Sequence, residues 1–196
     1  MIDKDGNIVE PDYKELMNYA KQFSGLSPDK ENKLIELGPL ISNEIPQVTE
    51  RFYDVLTMIP QATPLLEGRI DALKETHTNW MKSIFTGPYD EVYTAQMYHV
   101  GDVHVKVNMP VEFMSGGMTL IGNELYKIVC GIYKDDPQQL LDMTVALNAI
   151  LGFSLFVMQK SYNASVEEEL DKFLLITGMS RPLFDKLSST FSAKKS

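Results

Sequence analysis

Two stretches of the chain combine helical periodicity with a histidine on the apolar face. In each stretch apolar residues recur at steps of three and four positions, the spacing of one face of an α-helix. The first stripe is Ile70, Leu73, His77, Trp80, Met81 and Ile84, and the second is Tyr93, Met97, Val100, His104 and Val107. Between them, Gly87-Pro88 ends the first helix, because proline lacks a backbone N–H and disfavours helix in the preceding residue. The pattern therefore predicts two helices that fold back on each other.

Similar periodicity predicts helices along most of the remaining chain. Ser27-Pro28-Asp29 is typical of a helix start, with serine as N-cap and proline at the first helical position. No run alternates apolar and polar residues between turn signals, so the fold class is all-α, with seven or eight helices. Pro46 is expected to kink the first turns of its helix. The predicted helices span residues 11–22, 28–37, 40–58, 69–85, 89–108, 110–133, 137–164 and 166–187, the last interrupted at Gly178 and Pro182.

The helix predicted for residues 137–164 is apolar nearly all the way round. One of its faces can pack on the core of the same chain, but the opposite face needs a partner. We expect a homodimer built on this helix and on the helix at residues 110–133. Gly116 and Gly117 in the latter are small enough to allow close helix approach.

Composition and charge narrow the classes of partner. The 196-residue chain has a net charge of −9, and acidic proteins are repelled by nucleic acids and anionic membrane surfaces. Its single cysteine, Cys130, excludes an internal disulfide, fits a reducing cytoplasm and is expected to pack as a small apolar residue. The most apolar stretch, residues 145–158, is shorter than the roughly 20 residues that span a bilayer, so we expect no membrane span.

The two predicted helices each place a histidine on the face that is expected to be buried. One continuous helix would hold His77 and His104 about 40 Å apart, whereas the break at Gly87-Pro88 lets both imidazoles face one slot. Two imidazoles opposed across a dry, flat cavity suit the axial positions of a haem iron. From the pattern alone, a hydrogen-bonded core role for each histidine stays open. His99 lies one position off the stripe and is expected at the surface or the cavity edge.

Polar groups near the stripes are further candidates for the pocket. A buried Tyr53 needs a hydrogen-bond partner, which a bound diatomic gas can supply, and Thr76 is a second candidate. A solvent-facing orientation is the alternative for both residues. We expect Phe52 and Tyr53 to point at different places, since they are adjacent. The second ring nitrogen of neutral His104 is expected to donate to a carbonyl one turn earlier, near Val100.

Residues 30–162 resemble the sensor globins, the haem domains of globin-coupled sensors. The segments that carry the resemblance are Phe52-Tyr53, Leu73-Lys74 with Trp80, Phe85-Thr86-Gly87, Val100-Gly101-Asp102-Val103-His104 and Met109-Pro110-Val111-Glu112. The resemblance implies a globin fold with an extra N-terminal helix and long last two helices, which binds haem b. Dimerisation through those last two helices is also a property of this family.

The resemblance also implies roles for single residues. His104 matches the proximal histidine, Tyr53 the tyrosine that donates a hydrogen bond to bound oxygen, and Leu73 a leucine of the distal side. His77 departs from most relatives, which carry an apolar residue there, although some sensor globins use a distal histidine as a sixth iron ligand. The residues expected to contact the cofactor are Phe52, Tyr53, Leu73, Thr76, His77, Met97, Val100, His104, Val107 and Met114, with His104 and His77 as metal ligands.

The resulting hypothesis is a cytoplasmic haem-based sensor of O2, NO or CO rather than an enzyme. Gas would displace His77, and helix shifts would pass through the dimer interface to a downstream transmitter domain or protein. A haem-free globin-like interaction module stays open as an alternative. NO dioxygenase or peroxidase chemistry is less favoured, because the chain carries no reductase domain. The predicted division is an arm and leading helix (1–27), a haem domain (28–164) and a helical extension or linker start (165–196).

Overall fold

A computed structural model describes the chain from residue 11 to residue 193, with side chains to residue 190. The arm predicted for residues 1–10 lies outside this range. The described part contains α-helices and a short 3-10 turn at Pro60–Ala62, without β-strands. The helices are α1 (Tyr13–Ser24), α2 (Pro28–Ile41), α3 (Ile45–Thr57), α4 (Thr63–Leu66), α5 (Ile70–Ser83), α6 (Glu91–Lys106), α7 (Glu112–Ile132), α8 (Pro137–Thr177) and α9 (Arg181–Ala193).

Side-chain caps supplied by the sequence fix several helix starts. Asp12, Ser27, Asp90 and Asp136 each accept hydrogen bonds from backbone N–H groups in the first turn of the helix that follows. These N–H groups have no partner inside the helix, so the caps stabilise the ends by about 1 kcal/mol each. At its other end α8 stops at Gly178, whose φ of 71° is left-handed and favours glycine.

Prolines account for three differences between the predicted and the observed helices. Pro39 lies within the last turn of α2, which continues to Ile41 because a proline there removes only one hydrogen bond. Pro46 occupies the first turn of α3, where its N–H is not needed, so α3 starts beside it and the expected kink is absent. Pro182 lies likewise in the first turn of α9 and starts a helix instead of interrupting one.

Helix α8 is the centre of the molecule. Helices α1, α2, α6 and α7 all pack against it, and its residues Leu147, Ile150, Phe153 and Val157 are completely buried. The helix has 41 residues and passes residue 164 without a break. The division of the chain at residue 164 therefore stays a prediction, and it falls inside one continuous helix.

Length alone does not exclude a membrane span for α8. The apolar stretch at residues 145–158 belongs to a 41-residue helix, so the expectation that it is too short is wrong. By length and composition α8 meets the requirements of a spanning helix, but half of its most apolar window is buried inside the protein. Core helices pass the same test, and the packing of four helices around α8 identifies it as one.

Helices α6 and α8 approach each other closely at Gly101. A Cβ atom at this position would lie 2.1 Å from the carbonyl oxygen of Met158 and 2.7 Å from Cβ of Ser161. No side chain fits into such a gap. Asp102 adds a hydrogen bond of 3.1 Å from Ser165 Oγ. The helix that carries His104 is thus held directly against the central helix.

One expectation about α7, the packing of Cys130, is wrong. Cys130 is exposed rather than packed, because it lies on the side of α7 that faces away from the core. Gly117 faces the same chain, since a Cβ there would lie 3.5 Å from the ring of Phe52 on α3. Gly116 has open space around it and remains available for close approach by a partner.

Candidate functional site

Helices α3 and α5 bring an aromatic pair to the imidazole of His77. The ring centroids of Phe52 and Tyr53 lie 5.5 and 5.7 Å from that of His77. Nδ1 of His77 lies 2.8 Å from Oη of Tyr53 and 2.9 Å from the carbonyl oxygen of Leu73. The Leu73 contact lies within α5, one turn before His77. Two polar groups therefore meet at one ring nitrogen, while Nε2 is left for other contacts.

Phe52 and Tyr53 are both buried, contrary to the expectation that adjacent residues diverge. Their rings pack edge to face, with centroids 5.2 Å apart, so neighbouring side chains share one apolar region. Only 2% of Tyr53 is exposed, which excludes the solvent-facing alternative for its hydroxyl. Burial raises the pKa of Tyr53, so the hydroxyl keeps its proton.

His104 is half-buried on α6, and its Nδ1 atom has no hydrogen-bond partner among the described residues. The expected bond to a carbonyl near Val100 is therefore absent. A buried polar atom without a partner costs about 1–3 kcal/mol, so this imidazole is not explained as a satisfied core residue. A ligand bound to the ring would explain why an imidazole occupies this position.

Both histidines are neutral at neutral pH. Burial and, to a smaller extent, positive charge on His77 together lower the pKa of His104 to about 4. Burial also lowers the pKa of His77, against the opposing effect of the Leu73 carbonyl. Because charge on His77 affects the pKa of His104, the two imidazoles, on helices α5 and α6, lie within electrostatic range of each other. Neutral imidazole is the form that binds metals.

The remaining predicted contact residues are apolar and at least half-buried, with one exposed exception. Met97 and Met114 are buried on α6 and α7, and the other apolar candidates are half-buried: Leu73, Val100 and Val107. Thr76 is exposed, and its hydroxyl donates to the carbonyl of Ala72 at 2.9 Å. The solvent-facing alternative holds for Thr76, which is not brought to the site. His99 is exposed, as one of its two alternatives predicted.

A family model described as Protoglobin matches residues 13–168. The chain belongs to the Protoglobin family. The match begins in α1 and ends inside α8, so it includes every predicted site residue. It also includes α1, the extra helix before α2, and the all-helical globin fold is thereby confirmed.

Solved structures similar to this protoglobin include globin domains from two bacteria. The globin domain of a globin-coupled sensor from Geobacter sulfurreducens is 26% identical, with a TM-score of 0.68, over 74% of this chain and 97% of that one. The globin domain of E. coli DosC in its ferric form is 19% identical, with a TM-score of 0.59, over 74% of this chain and 99% of that one. No curated protein sequence matches the chain significantly.

The donor set at the site fits a cofactor that supplies most of its own metal ligands. Among the described residues, no group of three or more His, Cys, Asp or Glu side chains could hold a metal ion. A bare ion would therefore lack ligands here. A haem iron has four ligands from the porphyrin and needs only one or two imidazoles from the protein. His104 and His77, both neutral and half-buried beside apolar side chains, meet this requirement.

Two features of the site could not be predicted from the sequence: the contact of the Leu73 carbonyl and the close packing at Gly101. Leu73 is selected for its side chain, yet its carbonyl oxygen makes the contact with His77. The four-residue separation is the available signal, because a histidine ring can reach the carbonyl one turn earlier. Gly101 belongs to a segment of the family resemblance, but only the structure shows that it fixes the His104 helix on α8.

Proposed function

We propose that the protein is a haem-based sensor of a diatomic gas, O2, NO or CO. In this proposal His104 is the proximal ligand of haem b, and His77 is an endogenous sixth ligand that the gas displaces. The observation that carries the proposal is the pair of half-buried histidines on α5 and α6, close enough for charge on His77 to lower the pKa of His104. The partnerless Nδ1 of His104 and membership of a globin family support it.

The protein's own residues prepare the site for a gas ligand. The haem iron would supply the gas-binding chemistry. In this proposal the apolar side chains predicted to line the pocket exclude water, which keeps the imidazoles neutral. They are Phe52, Leu73, Met97, Val100, Val107 and Met114. The Tyr53 hydroxyl is the buried polar hydrogen close to His77, and it is placed to donate to a gas that takes the position of that ring.

Release of His77 would change the position of α5, and α6 would respond through His104. Because Gly101 holds α6 against α8, a shift of α6 acts directly on the central helix. We propose that α7 and α8, at residues 110–133 and 137–164, form a homodimer interface that carries the signal to a downstream transmitter. Leu141 and Val145, exposed on α8 at 57% and 41%, support a partner on this face. A cytoplasmic location fits this proposal.

Haem titration of the purified protein tests the proximal ligand. We expect a Soret band that saturates at one haem per chain, and we expect His104→Gly to lose it or to regain it only with added imidazole. His99→Gly is the matched control, because His99 lies exposed on the same helix. A wild-type protein without a Soret band would overturn the proposal and favour a haem-free interaction module.

Absorption spectra of the ferrous protein test the sixth ligand. We expect the wild type to be six-coordinate and low-spin, and His77→Ala to be five-coordinate, since alanine has no donor atom. Thr76→Ala is the control, because its hydroxyl contacts only the helix backbone. Identical spectra for the wild type and His77→Ala would reduce His77 to a residue that lines the pocket.

A further inference from the structure

Nδ1 of His77 has two hydrogen-bond partners, and the ring state that they favour is opposite when Tyr53 is the donor. The Leu73 carbonyl, 2.9 Å away, can only accept, so this contact needs a proton on Nδ1. The Tyr53 hydroxyl, 2.8 Å away, can also donate, and it then needs a lone pair on Nδ1. A neutral imidazole carries one proton and cannot satisfy both demands. The two partners therefore compete for the tautomer of the ring.

The two tautomers present different atoms at Nε2. When Nδ1–H donates to Leu73, Nε2 has the lone pair that a metal needs. When Tyr53 O–H donates to Nδ1, Nε2 carries the proton and becomes a hydrogen-bond donor. The Leu73 carbonyl is not left without a partner in this second form, because it still accepts from the backbone N–H of His77 within α5. Both forms are thus accessible with small movements of the Tyr53 hydroxyl.

We propose that Tyr53 is a positioning residue that acts through His77, by pulling it away from the metal-binding tautomer. The inference rests on the proposed function in one respect, the role of Nε2 as a metal ligand. The tautomer of the ring can be measured without haem. Removing the Tyr53 hydroxyl eliminates the only described donor to Nδ1 and leaves the Leu73 carbonyl as its partner. Tyr53→Phe therefore strengthens ligation by His77, although it removes a polar group from the site.

The first test uses haem-free protein labelled with 15N-histidine. Long-range 1H–15N correlation spectra distinguish Nδ1–H from Nε2–H rings, and His77→Ala assigns the signals. We expect Tyr53→Phe to raise the Nδ1–H fraction of His77, by about 5-fold in the ratio of the two forms, the usual effect of one net hydrogen bond. Tyr89→Phe is the control, because that buried hydroxyl donates to Ile84 and does not contact His77. An unchanged ratio overturns the inference.

The second test uses haem-loaded protein and CO, a ligand that gains little from hydrogen-bond donors. We expect Tyr53→Phe to lower CO affinity by about 5-fold, because the gas must displace a more firmly held His77. In the His77→Ala background the same substitution should have no effect. An equal loss of affinity in that background would show that Tyr53 acts on the gas directly. If no haem binds, the proposed function fails, while the NMR experiment still decides this inference.

Discussion

The side chain of His104 is half-buried, and its buried Nδ1 atom has no hydrogen bond that would compensate for the loss of water. An imidazole in this position favours its neutral form, and burial together with the charge of His77 lowers its pKa to about 4. In the unfolded chain the pKa returns to about 6.5. Between these two values the unfolded chain binds more protons than the folded one, so acid favours unfolding.

We expect the free energy of unfolding of the haem-free protein to fall by up to about 3 kcal/mol between pH 6.5 and pH 4 on account of His104. Stability is gained as the pH rises through this window and changes little above it. Urea unfolding at about pH 7 and about pH 4.5 measures the difference. His104→Gln should flatten the dependence, and His99→Gln, at the exposed control position, should not. Equal slopes for His104→Gln and wild type would contradict the expectation.

Helical periodicity predicts which face a residue occupies, but not the partner that it meets there. The steps of three and four correctly place His77 and His104 on inward faces. The same geometry turns Thr76 about 100° away from His77 and into solvent. Tyr53 and Phe52 are 100° apart as well, yet both are buried, because aromatic rings are long enough to converge on one region. Such convergence depends on the neighbouring helices, which the sequence of one helix does not specify.

At the level of helices, sequence signals predict starts better than ends. The cap Ser27 lies where the Ser-Pro-Asp signal predicts a helix start, and Asp90 and Asp136 cap the starts of α6 and α8. The end of α8 is misplaced, since the helix continues from residue 164 to Thr177. Its polar continuation is stabilised by local ion pairs such as Lys172 with Glu168, 2.6 Å apart at i and i+4. The end of the apolar pattern therefore marks where contact with the core decreases, not where the helix ends.

The contact between α6 and α8 gives a prediction at the same level. We expect Gly101→Ala to lower the free energy of unfolding by about 2–3 kcal/mol, because the new Cβ would lie 2.1 Å from a backbone carbonyl that cannot rotate away. Chemical denaturation measures the change, and the Soret band reports whether α6 moves. Gly131→Ala is the control, since it is also helical but has open space around it, and it should be neutral or stabilising. A fully stable Gly101→Ala protein would show that the helices slide apart without cost.

On the scale of the whole molecule, the fold is shared with a sensor globin domain. Its surface, however, exposes apolar side chains that the packing of a single copy leaves uncovered. Core helix α8 is buried by four neighbours, yet apolar side chains remain exposed along its free side. Sequence pattern predicts this excess, because no globin core can cover a helix that is apolar all round. The sequence pattern does not predict that Gly117 faces Phe52 of the same chain while Gly116 faces open space, since that depends on the position of Phe52.

The exposed residues of α8 lead to a prediction about assembly. A two-fold interface places the same patch against itself, so a carboxylate introduced there meets its own copy and loses water. We expect the wild type to be a dimer in sedimentation equilibrium and Leu141→Glu/Val145→Glu to be a monomer with an unchanged Soret band. Val92→Glu is the matched control, because Val92 is 64% exposed on α6, outside the proposed interface, and should leave the dimer intact. A double variant that stays dimeric would place the contact between copies on another face. The proposed signal from α6 through α8 could then not reach the partner through Leu141 and Val145.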